Sequence, residues 1–337
     1  MVLLMVVCLT VAGCAQKEKT NRTEKEDTRE IFAMDTYMTL KAYGSRCSEA
    51  LDEAVHEIHR LDEMFSTGNA ESEVGILNEN GTEILSSEGA YLFSASKEIY
   101  QSTEGAFDIT VYPLMQEWGF TDQNYKVPTR EKIQKLLKNV GLSKIEYDEK
   151  ERLISLPEGV KIDFGGIAKG FTSQRIIEIF KKYKLTGGIV SLGGNVQTYG
   201  NKPDQSEFKV GIEDPFGGSE YVGILQIKNK TVITSGGYER FFEKDGITYH
   251  HIINPKTGYP AESGLKSVSI VNEDGTMADG LSTALFVMGK EKAIQYWKKN
   301  GREGAFDIIL VEDDGTVYIS KGLEEKFTSK RDIQVIK

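Results

Sequence analysis

Cysteine is scarce in this chain: there are three in 337 residues, and two of them, Cys8 and Cys14, fall within the first fourteen positions. The remainder keeps only Cys47, which excludes an internal disulfide framework and a Cys-rich zinc site. Histidine is limited to His56, His59, His250 and His251, with no HExxH spacing. An excess of positive charge is also missing. Lys and Arg number 41 against 51 Asp and Glu, a formal net charge of -10, which argues against a nucleic-acid surface because phosphate backbones are bound through clustered cations. No apolar run reaches the roughly 20 residues of a membrane-spanning helix. Both common nucleotide signatures, GxGxxG and the Walker A sequence, are absent. An anionic ligand would therefore need neutralisation by a local cation.

A hydrophobic fraction of 39% supports a substantial core. The first fourteen residues, MVLLMVVCLTVAGC, read as the apolar part of a signal peptide. Their ending, Val11-Ala12-Gly13-Cys14, resembles a bacterial lipobox with Cys14 as the acylated residue, although no Lys or Arg precedes the apolar run. Residues 15–30 are charge-rich and free of proline, suited to a tether between lipid and a folded body over residues 31–337. The expected location is a membrane-anchored lipoprotein on the extracytoplasmic face of a bacterial membrane.

Within the body, Thr36 to Tyr43 alternates as a half-buried strand does. Leu51, Val55, Ile58, Leu61 and Phe65 recur at helical spacing, which leaves His56 toward the polar side. A second helix is expected from the N-cap Thr129 to a stop at Gly141, and a third after Gly170. Strands are expected at 153–156, 188–192, 208–212, 222–227, 266–271 and 306–311, with Asp314-Gly315 turning the last into a hairpin with 316–319. Helices and strands mix without strict alternation, and no linker divides the body, so the expected fold is a single α+β domain.

Glycine doublets at 165–166, 187–188, 193–194 and 236–237 mark tight turns or close backbone approach. The segment KIDFGGIAKG (161–170) joins an acid, a glycine pair and Lys169 at a strand-to-helix junction. Exposed N–H groups and helix-end potential there favour a pyrophosphate, and Lys169 adds a point charge. In MADGLSTALF (277–286), Asp279 and Thr283 stand four residues apart on one helical face. With a backbone carbonyl they would form a hard oxygen site of the kind Mg²⁺ prefers. Asp279 as a helix N-cap is the alternative.

These segments occur in order with MDTYMTL, EGAFDITVYPLMQEWGF, TSGGYERFF and HHIINPKTGYP, and together they resemble the ApbE family of FAD:protein FMN transferases from Met34 to about Gly289. The resemblance implies a single bilobed domain with FAD in its cleft. It implies a flavin site at Met34, Ala106, Phe107, Asp108, Asp163, Lys169 and Ile253, with Tyr238 and Arg240 near the adenine. The implied metal site is the Gly166 carbonyl with Asp279 and Thr283, and His251 is the implied catalytic histidine beside Asp279. One departure is Gly68, where members commonly carry Tyr; Tyr37 or Tyr112 would have to cover the ring in its place.

The implied reaction moves FMN from FAD to a Ser or Thr hydroxyl of a separate acceptor, with Mg²⁺ and release of AMP. Expected acceptors are proteins of membrane redox complexes carrying D-x-x-[ST]-x-[AS]-[TS]. The chain's own Asp279–Leu285 matches that pattern until Leu285, which lacks a hydroxyl. An FAD pyrophosphatase and a non-catalytic flavin-binding lipoprotein are the alternatives. For His251, an orienting hydrogen bond competes with a general-base role.

Overall fold

The computed structural model describes residues 25–218, 220–301 and 304–337. The signal-like segment, Cys14 and the first part of the tether lie outside the described residues. The remainder of the tether does not behave as one: Glu26–Ala33 forms strand β1, paired residue for residue with β2 (Thr36–Tyr43). Its alternating burial and charged outer face suit a sheet edge, where charge discourages further pairing. That same charge density made it read as a tether.

Helix α1 (Cys47–Phe65) follows, burying Ala50, Leu51, Ala54, Ile58, Leu61 and Phe65 while His56 and His59 face solvent. Next come α2 (Glu73–Asn80), β3 (Thr82–Ile84), α3 (Ser87–Ser102) and α4 (Tyr112–Trp118), none of which the hydrophobic spacing had marked. Helix α5 (Arg130–Leu137) is capped by Thr129, whose hydroxyl accepts from Lys132 N–H, but it ends four residues before Gly141. After β4 (Glu146–Asp148) and β5 (Leu153–Ser155), α6 (Ala168–Lys182) begins earlier than expected and takes Gly170 into its first turn.

The second half supplies β6 (Gly187–Leu192), β7 (Asn195–Gly200), β8 (Phe208–Glu213), β9 (Tyr221–Ile227), β10 (Thr231–Gly236), β11 (Phe241–Lys244), β12 (Ile247–His250) and β13 (Leu265–Asn272). Helices α7 (Gly275–Met288) and α8 (Lys290–Asn300) precede β14 (Asp307–Glu312), β15 (Val317–Ser320), β16 (Phe327–Thr328) and β17 (Ile333–Ile336). The expected hairpin is β14–β15.

Nine strands form one sheet in the order β1-β2-β6-β7-β10-β13-β14-β15-β17, antiparallel except for β15 with β17. Its centre is buried on both faces. Ile233, Val268, Ile270, Ile308 and Leu310 pack toward α3 and α7, whereas Val232, Val271, Ile309 and Val311 pack against the small sheet β16-β9-β8. This accounts for the continuous apolar run Ile308–Val311 in β14 and the adjacent Ile270 and Val271 in β13. Beside it, α1 and α6 cover β2 and β6 through Ile58, Ile176, Phe180, Leu40 and Val190. The helical layer thereby brings the start of α6 against α7. Among the described residues no helix is long and apolar enough to cross a membrane.

Candidate active site

Helix α7 is capped by Asp274, whose side chain accepts from Met277 N–H at 3.0 Å. Asp279 is therefore not a cap. It lies inside the helix, 4% exposed, and reaches across to α6. There the N–H of Gly170 donates to Asp279 Oδ2 at 2.8 Å. In a regular helix that N–H would donate to the carbonyl of Gly166. Among the described residues no N–H replaces it, so the Gly166 carbonyl is left free for another partner. Closeness of the helices makes the contact: a Cβ on Gly170 would stand 2.1 Å from Gly275 O and 2.7 Å from Asp279 Cβ.

One turn along α7, Thr283 Oγ1 lies 3.2 Å from Ser235 Oγ on β10. Ser235 Oγ is also 2.8 Å from Ser282 Oγ, which donates to the Asp279 carbonyl at 2.8 Å. Phe107 wedges beside this group. Its Cε2 is 3.0 Å from the place of a Cβ on Gly166, and its Cζ is 3.6 Å from that on Gly280. Neighbouring Ala106 is buried. Met34 joins from the β1–β2 turn at φ 47°, donating its N–H to Asp62 Oδ2 at 3.0 Å, with Sδ 3.8 Å from Thr172 Oγ1 of α6.

Lys169 is the electrostatic centre. Its charge opposes the burial that raises the carboxyl pKa values of Asp163 and Asp279. Asp163 also accepts from Gly165 N–H at 2.8 Å. Glu239 belongs to the same field, with no motif or spacing in the sequence to mark it. Desolvation, with Asp279 and Glu213 adding like charge, raises its pKa to about 7 against Lys169 and Arg240. Burial likewise raises the Tyr238 phenol.

Arg240 and His251 face each other at the root of the β11–β12 ribbon. The His251 imidazole is half-buried, and desolvation together with the Arg240 guanidinium pushes its pKa down to about 3.

Two further expected site residues are held by contacts of their own. The Asp108 carboxylate accepts from Thr110 N–H, Thr110 Oγ1 and Leu142 N–H at 2.9, 2.6 and 3.2 Å, so it ties two loops together from within. Ile253 is 5% exposed and packs with Trp118 and Ile133. Spacing could not reveal these contacts in full, because Leu142 reaches Asp108 from another loop and Trp118 and Ile133 reach Ile253 from far earlier in the chain. As for Gly68, the nearby aromatic is Tyr112, whose hydroxyl donates to the Thr67 carbonyl at 3.5 Å; Tyr37 is 82% exposed, edge-on to Phe32.

The ApbE family model matches residues 34–306. The chain belongs to the ApbE family. A curated relative from Haemophilus influenzae, named FAD:protein FMN transferase, is 28% identical over 98% of each chain. Another of that name, from Klebsiella pneumoniae, is 31% identical over 88% of this chain and 92% of its own. The crystal structure of the Thermotoga maritima ApbE protein superposes with a TM-score of 0.84 at 33% identity, covering 91% of this chain and all of that one. The apo flavinyl transferase ApbE of Pseudomonas stutzeri gives 0.79 at 27% identity, covering 91% and 98%. The α+β architecture is thus that of the ApbE fold, and its α6–α7 contact holds the acid, the freed carbonyl and the lysine together.

Proposed function

We propose that this ApbE chain transfers the FMN half of FAD to a Ser or Thr hydroxyl of an acceptor protein, with Mg²⁺ as its cation. The observation that carries the reading is the diverted Gly170 N–H. It frees the Gly166 carbonyl, fixes Asp279, and does both beside Lys169. A carbonyl, one carboxylate and the Thr283 hydroxyl suit a hard cation that keeps several waters and binds phosphate.

In this reading the acceptor oxygen attacks the FMN phosphorus, the bond from that phosphorus to the bridging oxygen breaks, and AMP leaves with that oxygen. When bound, the cation would neutralise charge on the diphosphate. Lys169 supplies the second positive charge. Nε2 of His251 takes the hydroxyl proton. We assign Met34, Phe107 and Tyr112 to the flavin end, and Tyr238 and Arg240 to the adenine end.

The acceptor is a separate protein, for which we retain the D-x-x-[ST]-x-[AS]-[TS] pattern and membrane redox complexes as the proposed class. The chain's own matching segment is helix α7, where Ser282 is fully buried and so unavailable. Acylation at Cys14 would hold the enzyme at the extracytoplasmic membrane face.

Incubation with FAD, Mg²⁺ and an acceptor peptide should give an FMN-peptide adduct by mass spectrometry and AMP in equal amount. Asp279→Ala should abolish both. Release of AMP and free FMN at the same rate with or without peptide, and no adduct, would instead establish a pyrophosphatase. Intact FAD under all conditions would leave a flavin-binding protein.

A further inference from the structure

Strand β7 begins immediately after the Gly193-Gly194 turn, whose φ values of +61° and +90° fit a two-residue hairpin loop. That turn sets the Leu192–Asn195 pair and thereby the direction of the Asn195 side chain. Asn195 and Gln197 share one face of β7, the face toward α6 and α7. Gln197 Oε1 is 2.6 Å from Ser173 Oγ of α6 and 3.1 Å from the place of a Cβ on Gly275, at the start of α7.

Asn195 is only 3% exposed, yet its Nδ2 has no hydrogen-bond partner. Among the described residues it is the one buried side-chain nitrogen left in this state. The amide lies on the Asp279 side of β7, yet the two groups stop short of a formed hydrogen bond. A buried donor without a partner disfavours the folded state, so its retention points to a partner that arrives with a ligand. Asp279 Oδ2 is taken by Gly170 N–H, which leaves Oδ1 as the oxygen to be steered.

We infer that Asn195 is a positioning residue for the cation site: its buried amide donates to Asp279 when the carboxylate turns to grip the ion, fixing which lone pair faces the metal. The inference rests on the cation reading above. Groups behind a metal ligand commonly change metal affinity by about 10- to 100-fold.

The test uses Mn²⁺ as probe with the purified full chain, following affinity by calorimetry and by the electron paramagnetic resonance signal of free ion. Asn195→Leu, which keeps the branched shape and the number of heavy atoms but has no donor, should weaken Mn²⁺ binding by about tenfold. A second reading separates positioning from mere packing. Without metal the variant should unfold at the wild-type denaturant midpoint or above it, because an unpartnered buried donor has been removed. The rise in midpoint that saturating Mn²⁺ gives the wild type should shrink. Asn195→Ala should weaken Mn²⁺ to a similar degree.

Wild-type Mn²⁺ affinity in both variants overturns the inference while leaving the cation site intact. Loss of metal-free stability in Asn195→Leu overturns it in favour of a packing role. If Asp279→Ala binds Mn²⁺ as the wild type does, the cation reading falls and this inference falls with it.

Discussion

His251 Nδ1 lies 3.2 Å from the carbonyl oxygen of Arg240, and the His251 backbone N–H donates to that same oxygen at 3.0 Å. A carbonyl accepts only, so the ring proton sits on Nδ1 and Nε2 keeps its lone pair. The imidazole therefore has the tautomer a general base needs. Its orienting hydrogen bond and its basic function are two uses of opposite ring nitrogens, so the structural role does not compete with the chemical one.

His251→Gln should lower the transfer rate by about 100-fold, the scale of a lost general base, while FAD affinity changes by less than about threefold. Because the folded pKa is pushed from 6.5 down to about 3, the ring is uncharged throughout the neutral range. The kcat profile should consequently show no limb near pH 6.5. Stability should respond in the same window with a definite sign. Below 6.5 the unfolded chain gains a proton that the folded chain takes up only near pH 3, so acidification destabilises the fold between those values. The variant should lose part of that slope in urea titrations at pH 4 and 7.

Glu239 gives a second pH dependence, on binding. Its pKa of about 7 means the carboxyl is largely neutral at pH 6 and charged at pH 8, beside Lys169 where the diphosphate is proposed to lie. FAD affinity should fall by about three- to tenfold as pH rises across that interval, the effect of one added like charge in a partly solvated cleft. Glu239→Gln should bind FAD equally at both pH values in a fluorescence titration. Equal pH dependence in the two proteins would remove Glu239 from the site.

Much of the frame was legible where one rule governs one segment. The alternation of Thr36 to Tyr43 corresponds to β2, the apolar stripe from Leu51 to Phe65 lies within α1, and Asp314-Gly315 joins β14 to β15. The four-residue spacing of Asp279 and Thr283 is also a property of one helix. What remained hidden depends on crossings between segments far apart in the chain. The Gly170 bond to Asp279 spans 109 residues, and Ser235 meets Thr283 over 48. Nothing local distinguishes Gly170 from a stop glycine, or Asn195 from any residue after a glycine turn. Charge density misled in the opposite direction at β1, where an edge strand carries the composition of a tether.

Gly170 offers the sharpest test of that crossing, because its missing side chain sets how near α6 and α7 come. A Cβ would meet Gly275 O at 2.1 Å and Asp279 Cβ at 2.7 Å, neither of which is the yielding end of a flexible chain. Gly170→Ala must push the helices apart, stretching the N–H bond to Asp279 and returning the N–H toward the Gly166 carbonyl. Overpacking of this kind costs about 1–3 kcal/mol, read as a lower denaturation midpoint at unchanged slope. Ala itself favours helix by up to about 1 kcal/mol over Gly, so any net loss of stability reports the crossing rather than propensity. Cation affinity should fall more steeply than stability, since two of the proposed ligands move together. A variant with the wild-type midpoint and wild-type Mn²⁺ affinity would mean the contact between these helices does not build the site.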